Sequence, residues 1–289
     1  MGVDGLQWDD HPTLRKPVLV AGFEGWNDAG DAASDAASWL TRTFDATRIA
    51  SIDPEEHFDF QSRRPQVELV DGVTRAINWP ANEFFSVHIE HAGRDLVVLR
   101  GVEPSYRWKS FCRAALTVAT ETGCEMVVTL GALLADVPHT RQPRITGTAT
   151  DTDLIERLAL TRSRYEGPTG IVGVLHDAAR EAAIASASLW APVPHYVAAP
   201  PNPVATRALL DRLGSLLDLP LELDDLGRAS ETWRERVNEV VAGDDEVSGY
   251  VHKLEERFDT EPVDEMEIPT GDALAAELEN FLRRERGDE

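Results

Sequence analysis

The sequence predicts an α/β fold, with a mixed, largely parallel central sheet flanked by helices and an α-helical appendage at the C-terminal end. Three observations predict this fold. An apolar run that begins at Pro17 is followed at once by an alanine-rich helical pattern, which is typical of a first strand and helix. Strand-like and helix-like patterns then alternate from residue 95 to 218, which favours crossover connections between parallel strands. From Leu221 onward only helical patterns remain.

The opening unit, from Pro17 to about Phe44, organises the rest of the chain. Its run 17–22 is apolar and closed by a glycine, as in a strand buried on both faces. Asn27 or Asp28 can cap the following helix by accepting backbone N–H bonds, and Asp31 adds negative charge to the first turn. Apolar residues then recur at helical spacing: Ala29, Ala32, Ala33, Ala36, Ala37, Leu40 and Phe44. This stripe is mostly alanine, so we expect the helix to approach the sheet closely.

The next elements mix strands of parallel and antiparallel type. Asp71–Gly72 is the strongest hairpin signal in the chain, because this dipeptide suits the tight turn between two short strands. The loop before the hairpin, 54–65, is polar and contains His57, Arg63 and Arg64. The predicted strands of this part are Thr47–Asp53, Gln66–Asp71, Val73–Trp79, Phe84–His91 and Asp95–Gly101.

The second half of the predicted sheet begins after a helix with an apolar face at Phe111 and Val118. Glu125–Leu133 is the most apolar run and is predicted to be a central strand, with Ala135–Arg144 as the loop at its carboxyl end. The remaining predictions are an extended piece Ile145–Thr150, a helix Asp153–Leu160, a strand Gly170–Leu175, a helix Asp177–Ser188, a strand Val193–Ala199 and a helix Pro203–Leu217 capped by Asn202.

The last quarter of the chain differs from the rest in charge and pattern. Residues 221–289 carry 22 acidic and 8 basic side chains, a net charge of −14. Three apolar stripes at helical spacing run through them: Trp233, Val237, Val240 and Val241; Tyr250, Leu254 and Phe258; and Leu274, Leu278, Phe281 and Leu282. We therefore predict an α/β core domain over 15–219 and an acidic helical extension over 220–289.

Composition excludes several classes of function. The formal net charge is −23, from 28 basic and 51 acidic residues, which argues against nucleic-acid binding and against attachment to anionic lipid. No apolar run reaches the roughly 18 residues of a membrane span, and the polar start is unlike a signal peptide, so we expect a cytoplasmic protein. Cys112 and Cys124 have no metal-motif partner and are interpreted as small buried hydrophobes. We expect no metal and no cofactor.

The turn after the first strand carries candidate functional side chains. Glu24, Asp28 and Asp31 could bind a hard cation or serve as an acid–base pair. The structural alternative is that Asp28 caps the helix and Asp31 pairs with its dipole, which leaves Glu24 unexplained. The chain has no G-x-G-x-x-G and no Walker-type phosphate loop.

A second candidate set follows the predicted central strand. Asp136, His139, Arg141 and Arg144 could meet the first turn across the sheet edge, the arginines holding an anion and His139 acting as acid or base. The alternative is that Asp136 pairs with an arginine and the loop contacts a neighbouring subunit. His195 is interpreted as a hydrogen-bonded core residue within a strand. No side chain can be assigned a catalytic role, and the candidate pocket comprises Glu24, Trp26, Asn27, Asp28, Asp136, His139, Arg141 and Arg144.

Three stretches carry a resemblance to a known family: GFEGWNDAG at 22–30, GALLADVPHT at 131–140 and VPHYV at 193–197. The chain resembles the proteasome assembly chaperone two family, in its actinobacterial branch, over roughly residues 15–285. The resemblance implies a sheet of the phosphorylase/hydrolase-like kind. It also implies an assembly or interaction protein, because eukaryotic members help to assemble proteasome α-rings as heterodimers.

Two functions follow from this resemblance and from the candidate sites. Some archaeal relatives bind the proteasome through a C-terminal hydrophobic–tyrosine–any tail, whereas this chain ends Arg286–Gly287–Asp288–Glu289 and lacks that motif. The first function is therefore protein–protein interaction or assembly by a homo-oligomer, with a trimer as one option. The alternative is a hydrolase or small-ligand-binding enzyme with its site at the Glu24–Asp28 and Asp136–Arg144 loops. Convergence of both loops in one enclosed cleft would favour the enzyme.

Overall fold

The computed structural model describes residues 5–72, 74–150 and 167–260. Ten strands and six α-helices lie in these ranges. The strands are β1 (Leu6–Trp8), β2 (Val18–Glu24), β3 (Thr47–Ile52), β4 (Gln66–Val70), β5 (Thr74–Asn78), β6 (Asn82–Val87), β7 (Leu96–Val102), β8 (Met126–Ala135), β9 (Thr146–Ala149) and β10 (Ala185–Pro194). The helices are α1 (Ala32–Thr43), α2 (Trp108–Glu121), α3 (Ile171–Glu181), α4 (Pro203–Leu217), α5 (Asp224–Ala242) and α6 (Asp245–Thr260).

Eight strands form the mixed central sheet, in the order β1-β3-β6-β7-β2-β8-β10-β9. The pairings of β2 with β7, β2 with β8, and β8 with β10 are parallel, and the four outer pairings are antiparallel. The predicted α/β class is confirmed, with the parallel strands at the centre. β1 at the edge was not predicted, because three residues are too short to show a periodicity.

Helices cover both faces of the sheet. Val18 and Val20 of β2 pack in one core cluster with α1 and α4, while Leu19, Ala21 and Phe23 pack in the other with α2 and α3. A strand with apolar side chains on both sides must be covered on both sides, which produces three layers. Cys112 is buried in the second cluster and Cys124 packs against it, as small hydrophobes do. Burial raises the pKa of the Cys112 thiol to about 12.

The contact between β2 and α1 is unusually close. Gly22 has no side chain, and a Cβ built there would lie 2.5 Å from the Ala33 carbonyl oxygen and 3.1 Å from the Ala37 Cβ. The predicted alanine stripe is therefore confirmed as a packing surface, with Ala32, Ala33, Ala36 and Ala37 fully buried. The α-helix begins at Ala32 rather than Ala29, because a 3-10 turn over Ala29–Asp31 precedes it.

Between residues 170 and 199, the predicted strand Gly170–Leu175 and the second half of the predicted helix Asp177–Ser188 were wrong in type, whereas residues 177–181 are helical and residues 193–194 extended as predicted. Ile171–Glu181, predicted to begin as a strand, is helix α3, and its buried residues Ile171, Val172, Leu175 and Ala179 follow helical spacing. Ala185–Pro194, which overlaps the predicted alanine-rich helix, is strand β10, parallel to β8 along all ten residues. Alanine and serine fit both periodicities, so pairing with β8 decided the outcome. The predicted helix Asp153–Leu160 lies outside the described residues.

The predicted hairpin around Asp71–Gly72 is confirmed, but it does not join the central sheet. β4 and β5 form a separate two-stranded sheet. Asp71 and Gly72 have φ angles of 53° and 72°, the left-handed values that a tight type I′ hairpin turn requires. We call residues 63–79 the arm.

The last described part of the chain is helical, as predicted. Val237 and Val241 of α5 and Val251 of α6 are buried together, with Trp233 and Tyr196 packed against them. Val240, placed in the same predicted stripe, is instead exposed. The third predicted stripe, from Leu274 to Leu282, lies outside the described residues, and the division of the chain near residue 220 stays a prediction. Within the described ranges no helix is long and apolar enough to span a membrane.

Candidate functional site

The two predicted candidate loops follow neighbouring strands, since β2 and β8 are adjacent and parallel. They touch through their backbones. The Ala132 amide donates to the Asn27 carbonyl oxygen at 2.8 Å, and Asp28 forms a β-bridge with Ala132. Their candidate side chains nevertheless line different cavities. Glu24 lines a cleft of about 740 Å³, whereas His139 and Arg141 line a separate cavity of about 10 Å³.

Asp28 is buried at the start of α1 and binds the helix backbone. Its Oδ1 accepts hydrogen bonds from the amides of Ala33, at 2.7 Å, and Ser34, at 3.1 Å, while the Ser34 hydroxyl donates to Oδ2. Burial raises the pKa of this carboxyl to about 6, against the lowering effect of the Ser34 and Ala33 hydrogen bonds. Asp28 therefore caps α1 as predicted. It does so through the amides of Ala33 and Ser34, because the α-helix begins at Ala32.

Stability should depend on pH through Asp28. Its carboxyl has a pKa of about 6 in the folded chain and 3.8 as the reference value, so the folded state binds more protons between these values and stability falls as pH rises through them. At pH 7 this shift costs about 3 kcal/mol. Asp28→Asn keeps an oxygen acceptor without the charge. We expect the variant to lose this pH dependence and to be more stable than the parent at pH 7, as measured by urea unfolding from pH 4 to 7.5.

Asp211→Asn is the matched control, because this exposed carboxylate on α4 contacts solvent. It should retain the slope of the parent. An unchanged slope in Asp28→Asn would contradict the assignment of that pH dependence to Asp28.

Asn27, Trp26 and Glu103 hold the turn between β2 and α1 in place. The Asn27 side chain is 5% exposed and packs so closely on Gly170 that a Cβ there would lie 1.8 Å from Asn27 Oδ1. Glu103 Oε1 accepts the Ile171 amide at the start of α3, at 2.9 Å, and Glu103 Oε2 accepts the Trp26 amide, at 3.3 Å. Glu103 was not among the predicted site residues, although its position directly after β7 places it at the same edge of the sheet.

Glu24 and Trp26 point to the surface. Glu24 ends β2 and forms an ion pair with Arg63 at the base of the arm. The cleft that it lines lies between the arm and the sheet edge and also contains Arg64, Arg100 and Trp79. Arg100 lies over the Phe85 ring, with its guanidinium carbon 4.5 Å from the ring centroid. The side chain of Trp26 is exposed.

His139 is a structural residue in a dense hydrogen-bond network. Its backbone amide donates to Tyr196 Oη at 2.8 Å, and its Nδ1 lies 2.7 Å from the same hydroxyl. Its Nε2 lies 2.9 Å from Asn238 Oδ1 on α5. Since the amide oxygen only accepts, Nε2 carries the proton and Nδ1 accepts the Tyr196 hydroxyl proton. Burial lowers the pKa of this imidazole, which favours the neutral form that the network requires.

The arginines of the same loop bind α6. Arg141 donates bidentately to Asp259 at 2.8 and 3.0 Å and also contacts Glu255 at 3.1 Å. Arg144 donates to the Phe258 carbonyl oxygen at 2.8 Å and stacks on the Phe258 ring. The loop therefore fastens the last described helix to the core, a role that the local sequence did not predict.

Asp136 and His195 meet at the end of this loop. His195 Nδ1 lies 3.1 Å from Asp136 Oδ1, and Arg257 is 3.9 Å from Asp136 Oδ2. The hydrogen bond from His195 lowers the pKa of Asp136. His195 lies in a 3-10 turn, not inside a strand, because β10 ends at Pro194. Across the ranges that the structure describes, no group of three or more His, Cys, Asp or Glu is placed to hold a metal ion.

Comparison with known proteins agrees with this architecture. A crystal structure of a PAC2 family protein from Streptomyces avermitilis is 47% identical, covering 81% of this chain and 99% of that one, with a TM-score of 0.77. A proteasome-assembly chaperone homologue from Mycobacterium tuberculosis is 46% identical, with 81% and 99% covered and a TM-score of 0.75.

More distant structures share the fold alone. PbaB from Pyrococcus furiosus, an archaeal proteasome activator, is 20% identical, with 81% of this chain and 97% of that one covered and a TM-score of 0.67. A search of curated proteins gave no match. The family model described as the PAC2 family matches residues 22–241, which include the end of β2, both candidate loops and most of α5. The chain therefore belongs to the PAC2 family.

Proposed function

We propose that this chain is a cytoplasmic assembly factor that self-associates and acts through protein–protein contacts on proteasome subunits. The observation that carries the proposal is its 46% identity to a proteasome-assembly chaperone homologue that it covers over 99% of the homologue's length. At this identity and coverage the two chains share a family and a fold, which supports a related role.

The geometry of the candidate loops supports an interaction protein. His139, Arg141 and Arg144 contact side chains or backbone of α5 and α6, and Asp28 contacts the backbone of α1. Groups that hold helices in this way stabilise the fold. Several large apolar side chains are instead exposed at the surface, where a partner could cover them.

The alternative function, a small-ligand site, now rests on one cavity. A hydrolase using both loops would need them in one cleft, and they line two. The cleft of about 740 Å³ has the size of a ligand pocket and contains Arg63, Arg64 and Arg100, so a small anion is the ligand that its chemistry favours. An ion pair already links Arg63 to Glu24, which weakens this alternative.

Mixing experiments test the assembly function directly. We expect the purified chain to co-elute with purified proteasome α-subunits of the same organism in size-exclusion chromatography, and to raise the yield of α-rings in native mass spectrometry. An unrelated protein of similar size and acidity is the control, and about 0.3 M salt screens contacts due to charge alone. Separate elution with an unchanged ring yield would refute the proposal. A small anion retained through purification would favour the alternative.

A further inference from the structure

The second half of α5 and the whole of α6 form a segment that buries few apolar side chains. The first half of α5 is anchored in the core, where Leu226 packs against the cluster of α1 and α4 and Asp225 accepts a hydrogen bond from Trp39 Nε1 at 3.0 Å. The buried side chains of 233–260 are four aliphatic residues: Val237, Val241, Val251 and Leu254. This segment therefore depends on its contacts with the 136–144 loop, and we call residues 233–260 the lid.

The lid covers the loop at the carboxyl end of β8. Loops usually run over the surface of a protein, whereas Val137 and His139 of this loop are 4 and 3% exposed. The Trp233 ring lies near the His139 ring, with 6.5 Å between the centroids, and Arg141 donates to Glu255 of α6 at 3.1 Å. Displacement of the lid would therefore bring a buried loop into contact with solvent or with a partner.

The His139 ring satisfies its neighbours only in the neutral form. Its Nε2 donates to Asn238 Oδ1 on the lid, and its Nδ1 accepts the Tyr196 hydroxyl proton. A second ring proton would occupy Nδ1, so that Tyr196 Oη would face two donors, the ring and the His139 amide. Among the described residues this hydroxyl makes no other hydrogen bond, so its own proton would lose its acceptor. Protonation would also place a charge in a buried site, which costs free energy.

The groups around His139 determine the pH at which this proton is taken up. Tyr196 faces the ring from the turn after β10, Arg234 from α5 and Glu255 from α6. Burial lowers the pKa of His139 from its usual 6.5, and Arg234 lowers it further, whereas Asn238 and Glu255 oppose the shift. A ring released into water regains the usual pKa, so the released state binds more protons and attachment weakens as pH falls below about 6.5.

The carboxylates of the same interface keep their charge in that range of pH. Hydrogen bonds hold the pKa of Asp136, Glu255 and Asp259 below the usual values of 3.8 for aspartate and 4.5 for glutamate. Two other histidines contact these carboxylates without crossing from the core to the lid. His195 contacts Asp136 within the core, and His252 contacts Glu255 within α6. His139 is therefore the titrating group that links the core to the lid.

We propose that residues 233–260 are a proton-controlled lid, in which protonation of His139 breaks its contact with Tyr196, releases the lid and exposes the 136–144 loop at the carboxyl end of β8. Release also separates Arg141 from Glu255 and Asp259, which makes a cation available to an acidic partner. This inference does not depend on the proposed contact with proteasome subunits, since it concerns contacts within one chain.

Hydrogen–deuterium exchange of the full chain, followed by mass spectrometry, tests the lid. After correction for the intrinsic rate, we expect peptides of 245–260 to exchange about tenfold faster at pH 5 than at pH 7.5, because the released state takes up the proton. Peptides of β8 should not accelerate. The readout is local to α6, so it is separate from the opposite effect of Asp28 on α1.

His139→Gln keeps a side-chain amide in place of the ring but cannot titrate. Its α6 peptides should exchange at the same corrected rate at both pH values. His252→Gln is the matched control, because His252 lies on α6 but is exposed, and it should retain the tenfold response of the parent. Equal exchange of α6 at both pH values in the parent would refute the proposal, as would a tenfold response retained by His139→Gln or lost in His252→Gln.

Nuclear magnetic resonance of the histidine rings gives a second readout on the parent chain, which holds even if His139→Gln does not fold. The midpoint of the His139 titration should coincide with the midpoint of the change in α6 exchange. A His139 ring that becomes protonated while α6 stays protected would overturn the proposal, because protonation and release would then be uncoupled.

Discussion

Replacing Gly22 by alanine is expected to destabilise the protein by about 3 kcal/mol or more, because overpacking in a dense core forces the backbone to shift. The new Cβ would lie 2.5 Å from the Ala33 carbonyl oxygen, an atom of the α1 backbone that cannot rotate away. The strand β2 lies between β7 and β8, so it cannot move without disturbing two pairings. Urea unfolding, monitored by circular dichroism, measures the change in free energy.

Gly93→Ala is the control for the lower backbone freedom of alanine. A Cβ at Gly93 meets nothing within 4 Å, and this glycine is exposed. The variant should be neutral or slightly more stable, because alanine restricts the unfolded chain. Equal stability of the two variants would show that α1 can retreat from β2, contrary to the close packing described above.

Tyr196→Phe is expected to cost about 2–6 kcal/mol, although it removes a single oxygen atom. That hydroxyl accepts the His139 amide proton and lies 2.7 Å from His139 Nδ1, and His139 is 3% exposed. Phenylalanine would leave a buried donor and a buried acceptor without partners, and each unsatisfied group costs about 1–3 kcal/mol. We expect the weakened network to loosen α5 and α6 first, which limited proteolysis between residues 238 and 260 would detect.

Tyr106→Phe removes the same atom at an exposed position and serves as the control. Its stability and proteolysis pattern should match those of the parent. If Tyr196→Phe behaves in the same way, then water replaces the hydroxyl and the 136–144 loop does not depend on it.

Local sequence was sufficient for the elements whose patterns allow one structure. The alanine stripe at 32–37 is typical of a helix that packs closely against a sheet. The left-handed turn at Asp71–Gly72 needs no tertiary contact. Residues 170–199 were different. Alanine and serine in 185–188 fit a helix or a strand, and the pairing of β10 with β8, some sixty residues earlier, decided between them.

For the candidate site, the sequence likewise predicted where the loops lie but not which partners their side chains bind. The order of strands and helices indicated that the loops after β2 and β8 share one edge of the sheet, and they do. Their chemistry could not be predicted, because His139 and Arg141 find their partners in Asn238, Glu255 and Asp259. A long-range partner leaves no periodicity near the residue it binds.

The sequence by itself determined the fold class, the first strand and helix, the hairpin of the arm and the family, because each is visible in short local motifs or in the periodicity and order of single elements. Only the tertiary structure decided that the two loops line separate cavities, that the 136–144 loop fastens α5 and α6, and that the arm lies apart from the sheet. Burial and charge pairing act through space, and residues about a hundred positions apart become neighbours only once the chain has folded.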